Sequence, residues 1–162
     1  MGLSLNHYSI RTFQMDASRD FYAHVVGLEV GPRPDFAFPG YWLYAGDTAL
    51  PSNAVVHIIG MDRNDAEGLK RYLGERDPGS LHGSGAVDHV AFFATGLAAM
   101  LSKLAGLGVA ARERSVPGLG LHQVFVTDPN GVVIELNYPA AEASASAASA
   151  ASATSATPAP PI

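Results

Sequence analysis

Three histidines and one glutamate occupy matching places in the two halves of the chain. His7 and His89 lie on the first predicted strand of each half. His57 and Glu135 lie on the last, 50 residues after His7 and 46 after His89. Imidazole and carboxylate groups bind divalent transition metals, and an octahedral ion with four protein ligands keeps two positions for water or substrate. The spacing predicts one site for nickel, zinc, iron, manganese or cobalt.

The carboxylate of Glu135 lies in a predicted strand hairpin. Two apolar segments flank the turn Asp128-Pro129-Asn130-Gly131, whose composition is typical of a tight reversal. Between Ile134 and Leu136, a carboxylate is costly to bury without a partner. We expect a metal shared with the three histidines to be that partner.

The elements that would position these residues form an internal repeat of strand, helix and three strands. The predicted helices begin near residues 17 and 97, and each is followed by a Gly-Leu pair or a glycine that ends it. We predict an α+β fold in which two paired βαβββ modules form curved mixed sheets around a metal cleft. The predicted boundaries are 3–60 for the first module, 61–86 for a connector that contains a helix over 62–73, 87–138 for the second module, and 139–162 for a disordered tail rich in Ala, Ser and Pro.

The composition excludes several classes of function. Hydrophobic residues make up 48% of the chain and charged residues 15%, which favours a globular protein. The net charge of -5, without a basic run, excludes a nucleic-acid partner. The absence of cysteine excludes disulfides, thiolate ligands and a thiol nucleophile. We find no signal peptide and no stretch near the ~20 apolar residues of a membrane span, so we expect a cytoplasmic protein that does not bind membranes.

Aromatic and basic side chains suggest where a small substrate would bind. Trp42 and Tyr44 lie on the third predicted strand, where they either line an apolar pocket or pack in the core. Arg11 and Arg114 are candidate anchors for an anionic group. His122 precedes the hairpin turn, where it acts either as an acid–base group or as a residue at the strand surface.

These features together resemble the vicinal oxygen chelate superfamily, which includes glyoxalase I, extradiol dioxygenases, methylmalonyl-CoA epimerase and fosfomycin-resistance proteins. The resemblance rests on the repeat, the His7 strand, the Phe21-Tyr22 helix and the turn that runs into Ile134-Glu135. It covers residues 3–138. It implies that His7, His57, His89 and Glu135 are the metal ligands. It also implies a homodimer, because small members often complete the cleft with modules from different chains.

The resemblance to glyoxalase I implies a metal-dependent lyase or isomerase whose substrate binds the metal through adjacent oxygens. Glu135 would then be the base that moves a proton between neighbouring carbons. Arg11 matches an arginine that contacts the glutathione carboxylate in that family. Met61 stands where its companion asparagine is expected, so the glutathione signature is half present.

Two alternatives remain open. The first is an extradiol-type Fe(II) dioxygenase, in which two histidines and Glu135 hold the iron. His57 would fill a position that dioxygen and catecholate need, and Phe125 stands where those enzymes usually carry tyrosine. The second is a drug-sequestering protein without turnover, of the bleomycin-resistance type. Such proteins usually lack the metal ligands, and this chain retains all four.

Overall fold

The computed structural model describes residues 4–61, 70, 74 and 77–145. The chain divides into two compact units. The first contains residues 1–86 together with 128–132, and the second contains residues 87–127 together with 133–162. Apart from residue 70, the connector helix that we predict over 62–73 lies outside the described residues.

The first unit is built on a four-stranded mixed sheet with the strand order β1-β4-β3-β2. β1 runs parallel to β4, and the other neighbours are antiparallel. The strands are β1 (Tyr8–Thr12), β2 (Glu29–Gly31), β3 (Gly40–Tyr44) and β4 (Ala54–Gly60). Parallel neighbours in a sheet need a long connection. A helix and two strands lie between β1 and β4 in the chain, so these two strands can pair in parallel at the edge of the sheet.

A helix packs against this sheet. α1 (Met15–Asp20) continues as a π-helical stretch over Phe21–Val26. Phe21, Tyr22 and Val25 are buried at helical spacing, as an amphipathic helix against a sheet requires. The helix ends at Gly27, whose φ of 96° lies in the left-handed region that favours glycine. The predicted end of this helix is confirmed.

The turn that follows residue 127 belongs to the first unit, where it forms a buried polar network. The Tyr22 hydroxyl donates to the Asp128 carboxylate over 3.0 Å. The Thr12 hydroxyl donates to Asn130 Oδ1 over 2.6 Å, and Asn130 Nδ2 donates to Ser18 Oγ over 2.9 Å. Side chains of this turn therefore connect β1 with α1 and its π-helical continuation.

The second unit repeats the architecture of the first. Its sheet has the order β5-β8-β7-β6, again with one parallel pair, β5 with β8. The elements are β5 (His89–Phe93), α2 (Leu97–Gly106), β6 (Arg112–Val116), β7 (Leu121–Thr127) and β8 (Val133–Pro139). The predicted α+β class and the paired βαβββ modules are confirmed. In the described ranges, no helix is long and apolar enough to cross a membrane.

The chain after β8 differs from the prediction. Residues 140–145 are helical, where the sequence predicts the start of a disordered tail at 139. The Glu142 carboxylate accepts hydrogen bonds from the backbone N–H groups of Gly96 (2.8 Å) and Leu97 (2.7 Å). These donors lie at the start of α2 and have no partner within the helix, so a carboxylate there stabilises α2. The remainder of the predicted tail lies outside the described residues.

Replacing Glu142 with alanine is expected to lower the free energy of unfolding by ~1 kcal/mol, the usual loss for a helix cap. Urea unfolding followed by circular dichroism measures this difference. A chain ending at residue 145 keeps the cap and serves as the control for a chain ending at residue 139. Equal stability of these two chains would contradict the capping role.

Candidate metal and substrate site

His7 and His57 meet on one face of the first sheet. Ser9 is the register partner of His57 across the parallel β1–β4 pair, so His7, two residues earlier, shares that face. The two imidazole rings stack with centroids 3.8 Å apart. Trp42, the partner of His57 on β3, stacks on His57 at 4.1 Å and 5°. His57 therefore lies between His7 and Trp42.

The surroundings of His57 keep its ring neutral. Burial lowers the pKa of His57 from 6.5 to about 4, and the neighbouring His7 adds to this effect. Nε2 of His57 is buried and has no hydrogen-bond partner among the residues that the structure describes. Leaving such an atom unsatisfied costs roughly 1–3 kcal/mol. A neutral imidazole with an unpartnered nitrogen fits a metal ligand.

The lowered pKa of His57 predicts a pH-dependent stability of the metal-free protein. Between pH 6.5 and about 4 the unfolded chain binds a proton at His57 that the folded chain does not. Stability is therefore full above pH 6.5 and falls as the pH approaches 4. Urea unfolding with a chelator across this range measures the slope. A His57→Phe variant keeps the stacked ring and should show a shallower slope; identical slopes would contradict the assignment.

Asn6 and Asp88 directly precede His7 and His89 and orient the imidazole rings of these histidines. His7 Nδ1 lies 2.5 Å from Asn6 Oδ1, and His89 Nδ1 lies 2.7 Å from Asp88 Oδ1. Because these oxygens accept a hydrogen bond, Nδ1 carries the proton and Nε2 is left as the ligand atom. Asn6 and Asp88 were not among the residues predicted from the sequence. The signal was present as a polar side chain at the same place in each repeat.

His89 and Glu135 form the second pair. Glu135 is 5% exposed, and its Oε2 lies 3.3 Å from His89 Nε2. Its other oxygen, Oε1, accepts hydrogen bonds from Gln123 Nε2 (2.9 Å) and Asn137 Nδ2 (2.7 Å). Ligand atoms bound to one ion at about 2.1 Å lie roughly 3.0–3.4 Å apart in octahedral or tetrahedral geometry. The spacing of Oε2 and Nε2 therefore suits two ligands of one metal.

A chain of side-chain amides holds the Glu135 carboxylate. Arg114 donates to Gln123 Oε1 from Nε (2.9 Å) and Nη2 (2.5 Å), and Gln123 Nε2 donates to Glu135 and to Asn137. The buried carboxylate thus has amide partners that the sequence analysis did not identify. Arg114 is engaged with Gln123, so its position favours an orienting role over the predicted role as anion anchor.

His122 lies on the opposite face of the second sheet from Glu135. Phe125 is the register partner of Glu135, so odd-numbered residues of β7 share the face of Glu135 and His122 does not. The His122 ring contacts Glu113 Oε2 (2.8 Å) and Ser115 Oγ (3.0 Å). The sheet therefore separates His122 from Glu135, and its predicted role as an acid–base group stays a prediction.

A pocket of about 390 Å³ opens beside His7 and His57 in the first unit. Trp42 lines it, and its role in substrate binding stays a prediction, whereas Tyr44 is 2% exposed and donates to the Pro32 carbonyl over 2.6 Å. Arg11 shares the face of His7, and its Nη1 donates to the Gly74 carbonyl over 3.2 Å. The lining residues are Asn6, His7, Ser9, Arg33, Phe36, Phe38, Trp42, Pro51, His57, Ile58 and Ile59.

Comparison with known proteins assigns the family. The sequence profile of the Glyoxalase/Bleomycin resistance protein/Dioxygenase superfamily matches residues 4–136. The chain belongs to this superfamily. It is 25% identical over 136 residues to Glyoxylase I 4 of Arabidopsis thaliana, which covers 82% of this chain and 69% of that protein. The expected relationship is confirmed.

Solved structures of similar fold agree with this superfamily. A glyoxalase family protein from Bacillus anthracis matches with a TM-score of 0.60 and 19% identity, over 86% of this chain and 97% of that one. Lactoylglutathione lyase from Agrobacterium tumefaciens matches with a TM-score of 0.53 and 20% identity, over 83% and 92%. At these identities the likeness establishes the shared fold.

Within this superfamily fold, the predicted ligands form two pairs. His7 and His57 lie in the first unit, and His89 and Glu135 lie in the second. Over the described ranges, no three His, Asp or Glu side chains lie close enough to hold one ion. Each pair supplies two suitable donors, and the four-ligand set stays a prediction.

Proposed function

We propose that this chain is a divalent-metal-dependent enzyme of the glyoxalase type, a lyase or isomerase. Its substrate would be a small molecule that binds the metal through adjacent oxygens. The observation that supports this most strongly is the 3.3 Å approach of His89 Nε2 to Glu135 Oε2, with Asp88 and the two amides satisfying the other polar atoms. Each residue thereby presents one atom to a ligand.

In this proposal His7, His57, His89 and Glu135 hold the metal. When bound, the metal supplies a Lewis acid that polarises substrate oxygens. Glu135 would act as the base through Oε2 only when that oxygen does not hold the metal, because Oε1 is already occupied by two amide donors. Trp42 covers one face of the His57 ring and excludes water from it.

The proposal includes a homodimer that supplies both pairs to each site. Leu5 and Val87 lie two residues before His7 and His89, and they are 85% and 55% exposed. Exposed aliphatic side chains at equivalent places fit a surface that a second copy covers. Sedimentation equilibrium is expected to give the mass of two chains; a monomer at micromolar concentration would contradict the dimer.

Metal analysis of the purified protein, after anaerobic reconstitution, tests the proposed function. We expect bound nickel, zinc or cobalt, proton exchange on an oxygen-chelating substrate, and no uptake of dioxygen. Bound iron(II) with dioxygen consumption on catechols would assign a dioxygenase instead. Metal content near zero after reconstitution would assign a sequestering protein, for which the aromatic pocket would serve as the binding site.

A further inference from the structure

We propose that the pocket beside His7 and His57 binds a planar aromatic acid, with Arg33 as the residue that recognises its anionic group. The inference deepens the proposed function by naming a substrate class. Only the description of the bound acid as a substrate rests on the proposed function. The binding itself depends on residues of the first unit alone.

Flat side chains form the pocket wall. The rings of Phe36 and Phe38 stack with centroids 5.2 Å apart and an interplanar angle of 8°. Trp42 lies 6.4 Å from Phe36, tilted by 49°, and is itself parallel to His57. Aromatic walls favour a ligand that stacks on them, and the volume of about 390 Å³ lies within the range of small-molecule sites. The shape therefore selects a flat, apolar ligand body.

Arg33 places a positive charge at this wall. Its guanidinium carbon lies 5.0 Å from the ring centroid of Phe36 and 5.2 Å from that of Phe38. A guanidinium carries five N–H donors, and in the described part of the chain one hydrogen bond is formed, from Nη2 to the Phe38 carbonyl. The remaining donors suit a carboxylate, which arginine binds with two parallel hydrogen bonds.

The local backbone holds Arg33 in place. A Cβ atom at Gly40 would lie 3.3 Å from Arg33 Nε and would clash with the Ile58 carbonyl oxygen. The glycine at the start of β3 thus allows the guanidinium to rest against the strand. Burial lowers the pKa of Arg33 and the charge of Asp35 opposes that shift, so an anionic ligand would compensate a partly desolvated cation. A preorganised cation of this kind loses little entropy on binding.

The two arginines that the sequence analysis proposed as anchors are engaged elsewhere. Arg11 donates to the Gly74 carbonyl, and Arg114 donates to Gln123. Arg33 is the cation that lines the pocket in the described ranges. A ligand whose carboxylate binds Arg33 and whose ring stacks on Phe36 would turn its opposite edge towards the two histidines.

Fluorescence of the metal-free protein tests this proposal, because Trp42 is the only tryptophan and lines the pocket. The probes are benzoate, benzamide and cyclohexanecarboxylate. Benzoate is expected to bind about tenfold more tightly than either, since benzamide lacks the charge and cyclohexanecarboxylate lacks the flat ring; tenfold corresponds to about 1.4 kcal/mol. Arg33→Met should remove the preference for benzoate over benzamide and leave benzamide binding unchanged.

Arg112→Met removes the same charge from the second sheet and serves as the matched control, which should keep the preference. Equal binding of benzoate and benzamide, a preference that persists in Arg33→Met, or no binding of either aromatic probe would each overturn the proposal. A parallel titration with nickel separates it from the proposed function. Benzoate binding without nickel binding would refute the proposed metal-dependent enzyme and leave the pocket proposal standing. Nickel binding without benzoate binding would refute the pocket proposal alone.

Discussion

Replacing Glu135 with alanine is expected to abolish activity and to weaken metal binding by more than ~100-fold. Loss of a residue that only orients a ligand already costs 10–100-fold, and loss of the ligand itself costs more. The side chain supplies Oε2 opposite His89 Nε2, and its removal also leaves the Gln123 and Asn137 amides without their shared acceptor. Calorimetric titration with nickel or zinc measures the affinity.

Two variants separate ligation from packing. Glu135→Gln keeps an acceptor for the amides but loses the charge, so it should fold normally and still bind metal poorly. Glu113→Ala removes a glutamate on the opposite face of the same sheet, where it contacts His122, and should leave the affinity unchanged. Wild-type affinity in Glu135→Ala would show that this carboxylate is not a ligand.

Replacing Asp128 with alanine is expected to lower the free energy of unfolding by about 3–4 kcal/mol. Asp128 is 4% exposed, and its carboxylate accepts from the N–H groups of Asn130 and Val132, both at 2.8 Å, and from the Tyr22 hydroxyl. Each buried donor left without a partner costs roughly 1–3 kcal/mol, partly relieved by water. Against a typical total of about 5–15 kcal/mol, the loss is large.

Asp47→Ala is the matched control for this prediction. Asp47 also accepts a backbone N–H two residues later, from Ala49 over 2.9 Å, but it does so at the surface. Water replaces an exposed acceptor, so we expect a loss of about 0.5 kcal/mol. Urea unfolding of both variants gives the comparison. A loss for Asp128→Ala as small as that of Asp47→Ala would show that the buried network does not stabilise the first unit.

The repeat made the fold predictable from the sequence. The glycine at residue 27 correctly marked a helix end. The hairpin turn was predicted as a structural element, and the structure adds its partners: Asp128 and Asn130 bond to side chains of the first unit. These features depend on local pattern, which a single sequence carries.

Register explains what the sequence did not predict. Tyr44 pairs with Ala54 beyond a register shift, and it is buried because its ring lies against Gly31 and its hydroxyl donates to the Pro32 carbonyl. The sequence does not reveal that Phe125 pairs with Glu135, and this pairing places His122 on the opposite face of the sheet from Glu135. A register shift of one residue moves every side chain of a strand to the other face of the sheet. The periodicity of a single sequence does not determine the register between strands.

Loop and long-range contacts were also beyond the sequence pattern. Arg33 lies between two prolines, and its position over Phe36 and Phe38 depends on the loop conformation rather than on periodicity. The contact of Glu142 with the start of α2 joins residues 45 and 46 positions apart. Such contacts follow from tertiary structure.

The central claim is that His7, His57, His89 and Glu135 bind one and the same ion. Calorimetric metal titration of the wild type and of the variants His57→Ala, Glu135→Ala and the double variant tests it most directly, because the two residues lie in different units. We expect a single binding event that each single variant weakens, with a loss in the double variant that differs from the sum of the two single losses because both residues hold the same ion. A binding event of wild-type affinity that survives in either single variant would contradict the shared site.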